Sequence, residues 1–156
     1  MSVVQPGRPA PDVRLRDQHG KTAELRDFRG ETVVLSFHPL AWTKACAEQM
    51  QALEASATAF SGASAVALGV SVDPVPSKKA WAEHLKITQT RLLSDFWPHG
   101  AVAERYGIFR KEDGFSERAV VIIDGDGIVR FSKVYPIERL PDLREVLTAV
   151  RGLGDD

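Results

Sequence analysis

The chain has 156 residues, of which 44% are hydrophobic and 26% charged. Those values suit one globular domain with a self-supporting core and exclude a disordered or fibrous chain. A net charge of -1 at pH 7 supplies no electrostatic attraction toward nucleic acid or an anionic membrane.

Met1 to Gly7 shows neither the basic stretch nor the apolar core of a secretory signal. No apolar run approaches the roughly 20 residues that span a bilayer. A cytoplasmic protein without membrane contact is expected. Pro6, Pro9 and Pro11 fix φ and remove backbone donors, so the opening segment is extended or turning. Val13 and Leu15, then Ala23 and Leu25, flank Gln18-His19-Gly20 and read as a short hairpin. Thr32 to Phe37 is a β-branched, apolar run suited to a strand buried on both faces, and Pro39 ends it.

From Lys44 to about Phe60 the period changes to that of a helix. Cys46, Met50, Leu53, Ala57 and Phe60 form one apolar stripe, with Glu48, Gln51 and Glu54 off it. Ala63 to Val72 reads as a second buried strand. Pro74 to Leu85 reads as a helix with Lys78, Lys79 and Glu83 on its wet side. Leu92-Leu93 suits a short strand, and Ala101 to Tyr106 a short helix stopped by Gly107. Ala119 to Ile123 and Ile128 to Val134 are two strands joined by the hairpin turn Asp124-Gly-Asp-Gly127. Ile137 to Val150 closes the chain as a helix, with Leu140, Leu143, Val146, Leu147 and Val150 on one side. No repeat or linker divides the chain, so residues 1–156 are expected to form one α/β domain. Its mixed central sheet would be flanked by helices in a thioredoxin-like order.

The chain has one cysteine. It can neither close an internal disulfide nor belong to a zinc site built from several thiolates. A lone cysteine is often a small core hydrophobe, so its surroundings decide its role. Cys46 follows a buried strand and a proline-bearing loop, and falls in the first turn of a helix. Unpaired N–H groups and the positive end of the helix dipole there favour thiolate over thiol. Thr43 stands three residues earlier, where a dithiol oxidoreductase carries its first cysteine, so disulfide chemistry of the CxxC kind is excluded. Its hydroxyl can cap the helix or hydrogen-bond a substrate. His38 invites comparison with a Cys–His protease, but no partner acid is evident. His19, His84 and His99 are scattered without metal-ligand spacing, and Asp124 to Gly127 lacks the downstream ligands of a calcium loop. Neither a metal nor a cofactor is expected. Trp42, Phe96, Trp97 and Phe109 are expected to be packing groups.

Pro39, Thr43 and Cys46 match the PxxxTxxC signature of the peroxiredoxins of the AhpC/TSA family, and the chain resembles that family nearly end to end. Ala10-Pro-Asp12, Leu15-Arg-Asp17 and Leu25 to Gly30 resemble its opening segment. Leu92 to Gly100, Tyr106-Gly-Ile-Phe109 and Ile128-Val-Arg-Phe131 look most like the AhpE-type one-cysteine subgroup. The resemblance implies a thioredoxin-like fold and a thiol peroxidase acting on hydrogen peroxide and organic hydroperoxides. Cys46 would pass through a sulfenic acid resolved by an external thiol or small redoxin. It also implies that Arg118, just before Ala119-Val-Val-Ile, orients thiolate and peroxide. Phe37, Trp42 and Gln49 would line the pocket. Gln49 stands where many members carry a glutamate that braces the arginine. A homodimer or higher homo-oligomer is implied as well. Two rivals accompany this reading. One is a thioredoxin-dependent peroxiredoxin of the bacterioferritin-comigratory type; the other is a non-catalytic redox sensor or holdase.

Overall fold

Two apolar layers enclose a seven-stranded sheet in the computed structural model, which describes residues 2–154. In chain order the strands are β1 (Arg14–Arg16), β2 (Thr22–Glu24), β3 (Thr32–Phe37), β4 (Ala65–Ser71) and β5 (Arg91–Ser94). After them come β6 (Phe109–Arg110), β7 (Phe115–Ser116), β8 (Arg118–Ile123) and β9 (Val129–Tyr135). The helices are α1 (Lys44–Ala55), α2 (Ala57–Gly62), α3 (Val75–Leu85), α4 (Ala101–Arg105) and α5 (Leu143–Gly154).

The sheet order is β2-β1-β5-β4-β3-β8-β9. β3, β4 and β5 run parallel, as the helices between them require, while β8 and β9 add antiparallel neighbours on one side and β1 and β2 on the other. Central β3 and β8 are apolar nearly throughout because both faces are covered. Val33, Leu35 and Phe37 point into one layer with Tyr106 and Ile108. Val34 points into the other with Cys46, Met50 and Trp81. α1 sits close on the sheet because β4 carries Gly69, where a Cβ would collide with Met50 Sδ.

The expected helix from Lys44 to Phe60 bends once. Ser56 N–H bonds the carbonyls of both Ala52 and Leu53, so α1 ends and α2 begins, with the buried stripe running on through Phe60. The last helix starts six residues later than its periodicity predicts. Pro141 has no N–H to give the Ile137 carbonyl and pushes Leu140 out of the helical region. Asp142 then caps α5 through the N–H groups of Arg144 and Glu145. Leu140 is consequently 42% exposed instead of lying on the stripe.

Lys78 is the sharpest correction. It was expected in water, yet it is fully buried, on the same face of α3 as Trp81 and Ala82. Trp42, Phe96 and Trp97 depart in the opposite sense, at 53%, 46% and 80% exposure. All three lie in surface turns, outside the sheet and helix faces that form the core. The two short strands β6 and β7 form a small hairpin of their own and were not anticipated. No helix among the described residues is long and apolar enough to cross a membrane.

Candidate active site

The segment between β3 and α1 places the cysteine. His38 N–H continues the parallel pairing by donating to the Val70 carbonyl, after which buried Pro39 turns the chain away from the sheet. Ala41 N–H donates to Asp73 Oδ2 at 2.8 Å, and Ser71 Oγ donates to the same oxygen, tying the loop to the end of β4. Trp42 takes a left-handed φ of 70°. The chain then enters α1 with Thr43 at the N-cap.

Thr43 occupies the cap position without capping. Its hydroxyl donates to the Leu40 carbonyl at 2.9 Å, so the first N–H groups of α1 receive no side-chain oxygen. Those groups have no partner within the helix either. Their positive potential is left available at the third helical residue, Cys46, which is 1% exposed.

Arg118, at the start of β8, completes the cluster from across the sheet. Its Nη1 lies 3.4 Å from Cys46 Sγ and donates to Gln49 Oε1 at 2.7 Å, while Nε donates to the Ile137 carbonyl at 2.9 Å. The late start of α5 therefore matters here, because the Ile137 carbonyl that Pro141 cannot satisfy is the one that fixes the guanidinium. Gln49 is held in turn. Its Nε2 donates to Ser36 Oγ at 2.7 Å and to the Phe37 carbonyl at 3.2 Å. Arg118 and Gln49 are both buried, at 2% and 3% exposure.

Cys46, Gln49 and Arg118 are thus brought together, with Thr43 and Pro39 on the loop that carries the cysteine. Two residues expected at the pocket are elsewhere. The Phe37 ring faces the opposite layer and packs on Tyr106 at 5.6 Å, because strand alternation sends Ser36, not Phe37, toward Gln49. Trp42 leans on α3, where its Nε1 donates to Ser77 Oγ and its ring meets His84 at 5.4 Å. His38 and Lys78 were not expected to meet, yet their side-chain nitrogens lie 3.1 Å apart in the interior. The signal in the sequence was the spacing of Lys78, Trp81, Ala82 and Leu85, which sets the lysine on the apolar stripe of α3.

A surface depression of about 1130 Å³ runs along Ser64, Asp124, Arg130 and Arg151 and shares no lining residue with this cluster. Cys46 offers a shielded sulfur facing a guanidinium and a free helix end. This arrangement suits attack on a small electrophile whose leaving group becomes negative.

Comparison with known proteins places the chain in a family. The model of the AhpC/TSA family matches residues 6–132. Alkyl hydroperoxide reductase E of Mycobacterium tuberculosis is 41% identical over 133 residues, covering 85% of this chain and 86% of the relative. A peroxiredoxin of Thermotoga maritima is 32% identical over 154 residues, covering 94% and 70%. Among solved structures, the reduced 2-Cys peroxiredoxin of Plasmodium vivax superposes with a TM-score of 0.86 at 26% identity, covering 94% of this chain and 80% of that one.

Proposed function

The chain belongs to the AhpC/TSA family of peroxiredoxins, which are thiol peroxidases, and on that footing we propose that Cys46 is the residue that attacks the hydroperoxide. The observation that carries this reading is the contact of 3.4 Å between Arg118 Nη1 and a buried sulfur in the first turn of α1. A guanidinium is a permanent cation with several donors in fixed directions, so it can hold a thiolate and a peroxide oxygen together.

The reaction is a displacement at oxygen. The thiolate forms an S–O bond to one peroxide oxygen, the O–O bond breaks, and the other oxygen leaves as hydroxide or alkoxide. Arg118 and the free N–H groups of α1 stabilise the charge on that leaving oxygen. The Thr43 hydroxyl spends its proton on the Leu40 carbonyl, so its lone pairs are free to accept from the peroxide O–H. Pro39 locks the loop and brings no N–H of its own near the sulfur. Cys46 becomes a sulfenic acid, the reversible first oxidation state of a thiol.

The chain has no second cysteine to condense with it. An external thiol, low-molecular-weight or carried by a small redoxin, therefore restores the thiolate. Excess peroxide drives Cys46 on to the sulfinic acid. Organic hydroperoxides as substrates are supported by the relative named alkyl hydroperoxide reductase E.

The test is stopped-flow oxidation of the wild type and Cys46→Ser by hydrogen peroxide and by a fatty-acid hydroperoxide, with the sulfenic acid detected by mass spectrometry. Peroxide consumption that survives in Cys46→Ser would remove the assignment. Slow oxidation with a stable mixed disulfide to another protein would instead identify a sensor. Turnover with thioredoxin compared with a monothiol redoxin identifies the reductant.

A further inference from the structure

Beside Arg118 lies a depression that the reaction above leaves unused. It measures about 470 Å³, a size suited to a small organic group, and is lined by Arg110, Phe115, Glu117, Pro136, Ile137 and Glu138. It opens where the β8–β9 ladder stops. The last rung pairs Arg118 with Tyr135. The next would pair Glu117 with Pro136, but proline brings no N–H, and Glu117 N–H already donates to the Ile108 carbonyl at 2.8 Å. The two chains therefore part and leave the space between them open.

Ile137 joins this space to the reaction centre. Its carbonyl accepts from Arg118 Nε at 2.9 Å, and Arg118 Nη1 lies 3.4 Å from Cys46 Sγ. Phe115, Pro136 and Ile137 supply the apolar surface that Phe37 and Trp42 do not, since those two rings pack on Tyr106 and on His84. Of the charged groups around it, Arg110 is already engaged. Its Nε donates to Asp113 Oδ2 at 2.6 Å, and its Nη1 lies 3.6 Å from Glu117 Oε1. The same guanidinium rests 5.7 Å from the centre of the Phe115 ring. Glu138 is exposed and forms no ion pair among the described residues. The rim is left with an unmatched negative charge.

Taking Cys46 as the attacking thiolate, we propose that this depression seats the organic group of a hydroperoxide, with Phe115 as its apolar contact and Glu138 as the residue that turns anionic groups away. In the displacement, sulfur bonds the terminal oxygen and is oxidised by two electrons to the sulfenic acid. The O–O bond breaks, and the inner oxygen leaves as an alkoxide that still carries the organic group and takes a proton from water. That inner oxygen is the one Arg118 stabilises, so the organic group lies along the flank of the guanidinium, where Ile137 and the depression are. Hydrogen peroxide carries no such group and makes no contact there. An apolar group gains by leaving water for Phe115 and Ile137. A carboxylate instead meets an acidic rim whose one cation is spoken for.

Rate constants of Cys46 oxidation in the full-length protein test this, measured with hydrogen peroxide, cumene hydroperoxide and cumene hydroperoxide bearing a carboxylate on its ring. The wild type should react faster with cumene hydroperoxide than with the carboxylated form, by about threefold at low salt, as for one screened charge contact. Glu138→Gln should close that gap and leave the rate with hydrogen peroxide unchanged, and Glu138→Lys should reverse it. Phe115→Ala should slow cumene hydroperoxide about tenfold, the upper worth of an aromatic contact, again with hydrogen peroxide unaffected. Ratios among the three peroxides that stay the same in every variant would overturn the proposal. So would an equal slowing of all three in Phe115→Ala, which marks a merely structural ring. Should Phe115→Ala fail to fold, the two variants of exposed Glu138 decide alone. The outcomes separate from those of the nucleophile assignment. Rapid oxidation of Cys46 with constant ratios removes only the seat, whereas peroxide turnover in Cys46→Ser removes the nucleophile.

Discussion

Gln49 Oε1 accepts a hydrogen bond of 2.7 Å from the same Arg118 Nη1 that lies 3.4 Å from Cys46 Sγ. The residue one helical turn after the cysteine thus fixes the cation that faces it. Gln49→Met keeps the length and removes every polar contact of the amide. Apart from Cys46 Sγ itself, Arg118 then keeps the Ile137 carbonyl alone. A hydrogen bond to a charged group is worth about 1.5–3 kcal/mol, so the rate constant of Cys46 oxidation should fall at least roughly tenfold. Stopped-flow traces that match the wild type, from a variant with intact circular dichroism, would show that the brace is dispensable.

Arg118→Lys separates charge from geometry. The guanidinium serves the sulfur, Gln49 and Ile137 at once. A lysine head keeps the charge and cannot span all three positions. Oxidation should slow by about a hundredfold, the loss of two directed hydrogen bonds, with a smaller change in the pH at which the rate turns on. A variant as fast as the wild type would mean that charge alone suffices.

Thr43 is exposed, so its hydroxyl can be removed with little effect on packing. Thr43→Ser retains the donation to the Leu40 carbonyl and should stay within about threefold of the wild type, below the worth of one hydrogen bond. Thr43→Val removes both that bond and the acceptor for the peroxide proton, and should lose about tenfold or more. Comparing the two variants in oxidation rate and in melting temperature isolates the hydroxyl. Equal rates for valine and serine would exclude it from the reaction.

The parts of the fold legible in the sequence were those with a strong local period. Continuous apolar runs betray β3, β4 and β8, and a good turn pairs β9 with β8. The hairpin of β6 and β7 has two residues in each strand, too few to show any alternation. Cys46 and Arg118 are 72 residues apart and meet because β3 and β8 are neighbours. No periodicity connects them, and only the family resemblance pointed to the arginine. Alternation did say that Ser36 and His38 share one face and Phe37 the other, without saying which face Cys46 would take. Lys78 was misplaced because a charged residue was put in water ahead of its position on the α3 stripe.

Glu54 joins the end of α1 to the segment before β5, and this link should fail in acid. Partial burial raises its carboxyl, but the N–H groups of Thr88, Gln89 and Thr90 more than offset that and hold it at about 2, below its ordinary 4.5. The folded value is depressed, so the stabilisation is complete above pH 4.5 and disappears as pH falls toward 2. Glu54→Gln retains one acceptor and no charge. It should lower stability at neutral pH by about 1–3 kcal/mol, with the gap to the wild type closing in acid. A gap that persists unchanged at low pH would assign the loss to packing.

Lys78 also makes stability rise with pH, but at the alkaline end and by relief of a cost. Its folded value of about 7 lies below the ordinary 10.5, so between those limits the unfolded chain binds the extra proton and unfolding free energy rises with pH. The cost of burying the ammonium is fully present below pH 7 and is relieved as pH climbs toward 10.5. Burial raises both Tyr106 and Tyr135, aided by nearby carboxylates, so their unfolded forms ionise first and erode stability above about pH 10. Subtracting Lys78→Met from the wild type cancels the tyrosines. In urea melts, the wild type should gain on the variant by up to about 1.4 kcal/mol per pH unit across the window from 7 to 10. Curves that stay parallel through that window would show that the buried amine keeps its proton throughout.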